Sequence, residues 1–319
     1  MDLQALLQRL FCRDLRPCAD LAVFHDFAPP PSGGGHQFMR ALMNELAKQG
    51  VGLEHNRISR KSRACLFNSF NFDFKRLKKQ RKHADCLCVH RVDGPIAVYR
   101  GFDDGTDDRI AGINEELADA TVFQSHYSLA KHRELGYALA NPAVIPNAAD
   151  PAVFNSGGRT HWDGHRRLRL ISASWSDNPN KGAAIYKWLD EHLDFNRYEY
   201  TFVGRIQESL KNIRHIQPVD SETLANELRQ HDVFIAASRH DPCSNSVIEA
   251  LSCGVPVVYL NSGGHPELVQ EAGLPFHEAD EIPGCLETIC QEYDRIRSTI
   301  KLTTIEDIAK QYLRVMKLI

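Results

Sequence analysis

With 319 residues, the chain is long enough for two domains of ordinary size, and its 43% hydrophobic and 25% charged residues are typical of soluble globular proteins. The net charge of −3 gives no reason to expect nucleic-acid binding, and no apolar run approaches the roughly 20 residues of a membrane span. The N-terminal residues mix charged with apolar side chains, and the nine cysteines have no regular pairing spacing. These features predict a cytoplasmic protein with reduced thiols.

Strand and helix patterns alternate through the first half of the chain. Short apolar runs predict strands at residues 20–24, 51–55, 64–67, 85–90, 120–123 and 143–145. Apolar residues at helical spacing predict helices at residues 3–10, 36–48, 72–83, 107–117 and 125–135. This alternation is typical of a doubly wound parallel sheet.

A glycine-rich loop, Gly33–Gly35, separates the first predicted strand from the next helix. A strand, a glycine loop and a helix N-terminus together are typical of phosphate-binding sites. The spacing matches neither a dinucleotide fingerprint nor a P-loop, so a tight turn that requires glycine is an equal alternative.

Polar residues gather at the end of predicted strand 85–90, in the segment HRVDGP (His90–Pro95). In this segment, His90 and Asp93 are candidates for an acid–base or hydroxyl-binding role. A salt-bridged turn is the alternative. Four nearby acids suit either a Mg²⁺ site or, as we favour, a helix N-terminus. They are Asp103, Asp104, Asp107 and Asp108.

Two cysteines precede His90 on the same predicted strand face, at positions 86 and 88. A metal site would need a second pair of ligands at zinc-type spacing, and no such pair lies nearby. Buried thiols are therefore the simpler interpretation.

The predicted helix 72–83 is unusually basic for a slightly acidic protein. Its cationic residues are Lys75, Arg76, Lys78, Lys79, Arg81 and Lys82. One interpretation is peripheral contact with anionic lipid headgroups, and the other is a solvated helix face. Nucleic-acid binding is less favoured, because no aromatic platform accompanies the charge.

The second half repeats the alternation, and its segment Asp232–Val269 forms a strand–helix–strand–loop unit. Further strands are predicted at residues 169–173 and 198–203, with helices at 183–192, 221–229, 286–296 and 305–315. Asp241 and Glu249, with seven residues between them, bracket the start of the helix in this unit. Unpaired N–H groups at a helix start favour anion binding.

These patterns predict an α/β protein with two Rossmann-like doubly wound parallel-sheet domains. We place the first at residues 1–150 and the second at 151–300, with a C-terminal helix in 301–319 that packs back on the first domain. The carboxyl edges of the two sheets then face each other across a cleft, the preferred place for a small-molecule site.

Several motifs resemble those of the family 4 (group 1) retaining glycosyltransferases, which have the GT-B architecture. The acidic pair is followed by EALSCGVPVV, which is similar to the family's EA-x-x-x-G-x-P-V-V run. Val144–Phe154 (VIPNAADPAVF) resembles the interdomain segment, and Asn180-Lys181-Gly182 resembles the KG motif. The resemblance covers most of the chain from about Asp20 and is most specific in the C-terminal part.

The resemblance implies a role for each matching residue. Glu249 would bind the ribose of a UDP- or GDP-linked sugar, and Asp241 the hydroxyls of the donor sugar. Backbone N–H groups around Asn245, Ser246 and Val247, with Gly34 and Gly35, would cradle the diphosphate. Lys181 would neutralise the leaving diphosphate, and His90 would face the reacting carbon.

The implied reaction is transfer of a hexosyl unit, with retained configuration, to a hydroxyl of a polysaccharide, glycolipid or lipid-linked sugar. No metal or other cofactor is expected, and no nucleic-acid partner.

Two departures from the family pattern leave alternatives open. The first acid is normally Glu rather than Asp241, and Trp175 stands where the family has an Arg, so Arg205 or Arg239 would have to substitute for it. These departures favour one rival, a turnover-deficient binding or assembly protein. A GT-B nucleotide-sugar epimerase is the other rival. Ser246 to Glu249 also fits a helix capping box, in which Glu249 would only satisfy backbone donors.

Overall fold

The computed structural model describes residues 20–29 and 33–319, so the predicted helix 3–10 lies outside the described residues. Six parallel strands form the first sheet, in the order β2-β1-β3-β4-β5-β6. They are β1 (Leu21–Phe24), β2 (Leu53–His55), β3 (Ala64–Asn68), β4 (Leu87–Val92), β5 (Ala120–Phe123) and β6 (Pro142–Val144). The helices of this half are α1 (Gly34–Lys48), α2 (Phe74–Arg81), α3 (Ile96–Arg100), α4 (Thr106–Leu117) and α5 (His126–Glu134).

Strand β1 shows why the first sheet is covered on both faces. Leu21 and Val23 join a core with α1, whereas Ala22 and Phe24 join a second core with α2 and α4. Successive side chains of a strand point to opposite faces, so a continuous apolar run is buried only between two helix layers.

The second sheet also has six parallel strands, in the order β12-β11-β10-β7-β8-β9. They are β7 (Leu168–Ser174), β8 (Tyr198–Gly204), β9 (Arg214–Ile216), β10 (Val233–Ala236), β11 (Val257–Leu260) and β12 (Gly273–Phe276). The helices are α6 (Ala183–His192), α7 (Ser221–Gln230), α8 (Asn245–Ser252), α9 (His265–Val269), α10 (Ile282–Ser298) and α11 (Ile305–Val315). The predicted α/β class with two doubly wound sheets is confirmed.

Four short elements were not predicted: α3, α9, β9 and β12. Strands β9 and β12 are the two edges of the second sheet, and β9 is three residues long and mostly exposed. Strand β9 carries too few apolar residues to give a periodic signal, and Pro275 in β12 weakens the strand pattern.

Helix α11 returns from the end of the second domain to the first. Ile308, Tyr312 and Leu313 are buried in the same core as Phe38 and Leu42 of α1. No helix among residues 20–29 and 33–319 combines the length and apolar character needed to cross a membrane.

Each strand order reverses at one point, between β1 and β3 in the first sheet and between β7 and β10 in the second. At such a switch point the connections leave towards opposite faces and open a crevice at the carboxyl ends of the strands. The loops after these four strands therefore define where each domain can hold a ligand.

Candidate active site

A cavity of about 480 Å³ lies between the two domains and is lined from both switch points. The first domain contributes His25 after β1, and Asn68 and Asn71 at the end of β3. The second contributes Lys181 from the β7–α6 loop and Asp241 from the β10–α8 loop. The cavity is thus the cleft expected from the strand pattern, and its size suits a small-molecule ligand.

Lys181 and Asp241 form an ion pair on the second-domain wall, with Nζ 2.7 Å from Oδ2. Burial acts to raise the pKa of Asp241, but Lys181, His265 and the backbone N–H of Cys243 together outweigh it, and the pKa is lowered. Burial likewise acts to lower the pKa of Lys181, but Asp241 and Tyr99 together raise it on balance. Lys181 Nζ also lies 4.8 Å from the centre of the Tyr99 ring of the first domain. Both groups are therefore charged near neutral pH, at the point where the two domains meet.

Glu249 is 6% exposed and lines the same cleft. Its carboxyl group makes no hydrogen bond or ion pair with any residue that the structure describes, and burial raises its pKa to about 8. The capping-box alternative is wrong, because α8 begins at Asn245 with Ser244 at the N-cap, and Ser246 Oγ contacts Ser244 Oγ instead. A buried carboxyl group without partners is costly, which indicates that a ligand completes its hydrogen bonding.

The N-termini of α1 and α8 meet across the cleft, and no side chain of residues 20–29 and 33–319 caps either one. A Cβ placed on Gly34 would lie 2.5 Å from Asn245 Cβ, so only glycine allows this approach. Gly34, Gly35, Asn245 and Ser246 all line the cavity. Two helix starts with unpaired N–H groups form a strong anion site, because both dipoles place positive charge there.

Besides Lys181, the second domain contributes the cation Arg205 to the cleft. It lies next to Trp175, which stands where the family pattern has an Arg. It lines the cavity, and its Nη1 donates to the Trp175 carbonyl oxygen at 3.1 Å. Arg239 is exposed and does not line the cavity. The Val247 side chain is in the core, and the role predicted for this residue belongs to its backbone N–H.

His90 is not in the cleft, so its predicted place beside a reacting carbon is wrong. Strand β4 continues to Val92, two residues beyond its predicted end, which leaves His90 inside the sheet and fully buried. Its Nε2–H donates to the Ser69 carbonyl oxygen at 2.8 Å, and its Nδ1 accepts from Asn114 Nδ2 at 3.1 Å. These two bonds and the stacking on Phe67 give it a structural role.

Asp93, three residues later, does line the cavity. Its Oδ1 accepts from Arg91 Nη1 at 2.9 Å and from Gln124 Nε2. Arg91 is fully buried, and its other terminal nitrogen donates to Asn147 Oδ1 at 2.8 Å. Asn147 in turn donates to Asn245 Oδ1 of the second domain at 3.1 Å. One hydrogen-bonded chain therefore links Asp93 to the start of α8.

The sequence interpretation missed a pair of imidazoles in the first-domain wall. His25 Nε2 and His36 Nδ1 are 2.8 Å apart, and both residues line the cavity. Burial lowers the pKa of His25 to about 4 and also lowers that of His36, so both are neutral at pH 7. The signal was available, since His25 directly follows the apolar run of β1 and His36 follows the glycine loop.

Neither candidate metal cluster has the form of a metal site. Asp107 accepts from the backbone N–H groups of Ile96 and Ala97, and Asp104 accepts from the N–H of Thr106. These bonds support the helix-start interpretation of the acids. Within the described residues, no group of three or more Cys, His, Asp and Glu side chains is arranged to hold a metal ion.

Comparisons with known proteins agree with this geometry. Residues 189–292 match the family model described as glycosyl transferases group 1. Sucrose-phosphate synthase (tll1590) from Thermosynechococcus elongatus is similar in structure, with a TM-score of 0.72 at 14% identity over 94% of this chain and 98% of that one. HepE (Alr3699) from Anabaena, in complex with UDP-glucose, has a TM-score of 0.71 at 15% identity over 94% of this chain and 100% of that one.

A glycosyltransferase from Rickettsia africae ESF-5 gives a TM-score of 0.65 at 12% identity over 95% of this chain and 99% of that one. No curated protein sequence matches the chain significantly. At these identities the structural likeness establishes the fold, which is GT-B. The match to the group 1 glycosyl transferases lies in the second domain of this fold.

Proposed function

We propose that the protein transfers a hexosyl unit from a nucleotide-diphosphate sugar to a hydroxyl acceptor, with retention of configuration and without a metal ion. The observation that carries this proposal is that the Lys181–Asp241 pair, Glu249 and two uncapped helix starts line one cleft. Together they provide one place for a diphosphate and two carboxyl groups for hydroxyls.

In this proposal the diphosphate lies between the starts of α1 and α8. Their N–H groups and the Lys181 ammonium would stabilise the negative charge that grows as the diphosphate leaves, which is the work a metal ion does in other enzymes. Arg205 would add the cation that Trp175 does not supply. Metal independence and retention rest on the family resemblance together with this supply of positive groups.

Glu249 would accept hydrogen bonds from the ribose hydroxyls, which would satisfy its otherwise unpaired carboxyl group. Asp241, ionised through Lys181, would hold hydroxyls of the donor sugar. Similar structures with UDP-glucose and with UDP-2-fluoro glucose favour UDP as the nucleotide, with GDP as the alternative. On the opposite wall, Asp93 would accept a hydrogen bond from another hydroxyl of the acceptor.

Calorimetry with UDP and GDP, followed by turnover with UDP- and GDP-sugars, tests the proposal. We expect micromolar-range binding of one nucleotide, turnover that persists in EDTA, and a product whose NMR anomeric coupling equals that of the donor. A folded protein that binds neither nucleotide would exclude the proposal. Binding without turnover would favour the assembly protein, and conversion of the donor alone would favour the epimerase.

We also propose that α2 brings the protein to anionic membranes, where a lipid-linked acceptor would lie. Lys78 and Arg81 are paired with Glu116 and Asp119, but Lys75, Arg76, Lys79 and Lys82 are exposed. Each exposed cation near such a surface contributes about 1 kcal/mol. Sedimentation with phosphatidylserine vesicles should be strong at low salt and weak at high salt. Equal binding to neutral vesicles would contradict this.

A further inference from the structure

The first-domain wall of the cleft carries several hydrogen-bonding groups that no residue of the described chain uses. Asn71 lines the cavity, and its side-chain amide has no partner among residues 20–29 and 33–319. Asn68 uses only its amide oxygen, for Arg91, and Gln124 uses only its amide nitrogen. Asp93 uses one of its two carboxylate oxygens. The wall therefore offers donors and acceptors side by side.

This mixture fits hydroxyl groups, because each hydroxyl donates one hydrogen bond and accepts others. A phosphate group at neutral pH mainly accepts, so the free oxygens of Asp93 and Gln124 would repel it. Phosphate sites are instead built from arginine, lysine and helix starts.

Cations on this wall are already engaged. Arg100 lines the cavity, but its Nη1 binds Asp104 Oδ2 at 2.7 Å. Arg91 is fully buried and holds Asn68, Asp93 and Asn147. The imidazoles of His25 and His36 are neutral at pH 7 because burial lowers their pKa values. In the described part of the first domain, the wall has no uncommitted cation.

We infer that the acceptor is an uncharged sugar, bound through its hydroxyl groups by Asn68, Asn71, Asp93 and Gln124, and not a sugar phosphate. The inference rests on the proposed function, which leaves the acceptor open. In the transfer, the acceptor oxygen bonds to the anomeric carbon, the bond from that carbon to the diphosphate breaks, and the hydroxyl proton leaves with the diphosphate.

The test measures nucleotide release from the donor, first in water and then with pairs of acceptors that differ only by a phosphate. The pairs are glucose with glucose 6-phosphate, fructose with fructose 6-phosphate, and a neutral disaccharide with its phosphate ester. We expect the neutral sugars to accelerate release and their phosphates to leave it near the rate in water. Acceleration by the phosphates alone overturns the inference and leaves the proposed function intact.

No acceleration by any neutral sugar, with the donor still hydrolysed, also overturns the inference. A protein that neither binds nor hydrolyses the donor fails the proposed function itself. Asn71→Ala should raise the KM for the neutral acceptor about five- to tenfold, the effect of one lost hydrogen bond. Asn196→Ala, on an exposed loop, is the matched control and should leave the KM for the neutral acceptor and the KM for the donor unchanged. An unchanged acceptor KM in Asn71→Ala removes Asn71 from the inferred site.

Discussion

The ammonium of Lys181 lies 2.7 Å from the carboxylate of Asp241, and the two residues come from loops that follow different strands of the second sheet. The pair forms because Gly182 lets the Lys181 loop touch the loop after β10: a Cβ at position 182 would lie 2.5 Å from the Ala237 carbonyl oxygen. Gly182 also has φ = +86°, a conformation that favours glycine. The Lys181–Asp241 ion pair therefore depends on glycine at position 182.

We predict that Lys181→Met lowers kcat about 100- to 1000-fold, the usual effect of removing one group that stabilises developing charge. It should also lower the free energy of unfolding by about 3 kcal/mol, because Asp241 is left buried without its cation. Turnover assays and urea unfolding measure the two effects. The double variant Lys181→Met/Asp241→Asn also removes the buried charge at position 241. It should therefore regain stability without regaining turnover.

The control is Lys310→Met, which removes an exposed pair with Glu306. Its effect on unfolding should stay below about 1 kcal/mol, with normal turnover. If Lys181→Met retained the wild-type kcat, Lys181 would have no part in catalysis.

Glu249 predicts a pH dependence of stability. Its pKa rises from 4.5 in the unfolded chain to about 8 in the folded protein, so the folded state binds its proton more tightly. The contribution of Glu249 to the free energy of unfolding of the ligand-free protein is therefore most favourable below about pH 4.5. This contribution falls as pH rises towards 8. Glu249→Gln removes the titration, so wild type and variant should differ by less than about 1 kcal/mol at pH 5, and the variant should be more stable by about 3–5 kcal/mol at pH 9.

Urea unfolding at pH 5, 7 and 9 measures this difference, and Glu271→Gln at an exposed position is the control. The same Glu249→Gln variant should bind the nucleotide about tenfold more weakly, since an amide replaces a carboxylate that accepts from two hydroxyls. Equal pH profiles for variant and wild type would show that Glu249 is not held protonated.

The second-domain half of the site could be predicted from the sequence because its residues belong to continuous motifs. Asp241, Asn245 and Glu249 lie on one loop and one helix, so their spacing fixes their relative positions. The first-domain half depends on where each strand ends, and β4 runs two residues further than its apolar pattern indicates. That shift places Asp93 rather than His90 at the edge. The Arg91–Asn147–Asn245 chain joins three distant segments, which no local pattern can foresee.

We predict that His90→Ala lowers the free energy of unfolding by about 2–4 kcal/mol. The substitution leaves a cavity beside Phe67 and removes the hydrogen-bond partners of the Ser69 carbonyl and the Asn114 amide. Because the imidazole does not reach the cleft, the folded variant should keep kcat within about twofold of wild type. Turnover assays and urea unfolding measure the two quantities. A loss of kcat at unchanged stability would show that His90 takes part in catalysis.

Glu267 of α9 caps a helix in the other domain. Its two carboxylate oxygens accept from the backbone N–H groups of His126 and Tyr127, each at 2.7 Å, at the start of α5. Asn180 makes a comparable contact across the cleft, donating to the Tyr99 carbonyl oxygen at 3.0 Å. These contacts hold the two domains in the arrangement that brings both walls of the cleft together.

We predict that Glu267→Ala speeds amide hydrogen exchange in the first turn of α5 about tenfold, because a lost cap costs about 1–2 kcal/mol. The donor KM should rise by a similar factor, since fewer molecules have both walls in place. Mass spectrometry of exchange in peptides that span α5 measures the first effect. Glu271→Ala, exposed four residues later, is the control and should change neither quantity. Faster exchange in α5 with an unchanged donor KM would mean that the cap stabilises α5 alone and does not hold the cleft together.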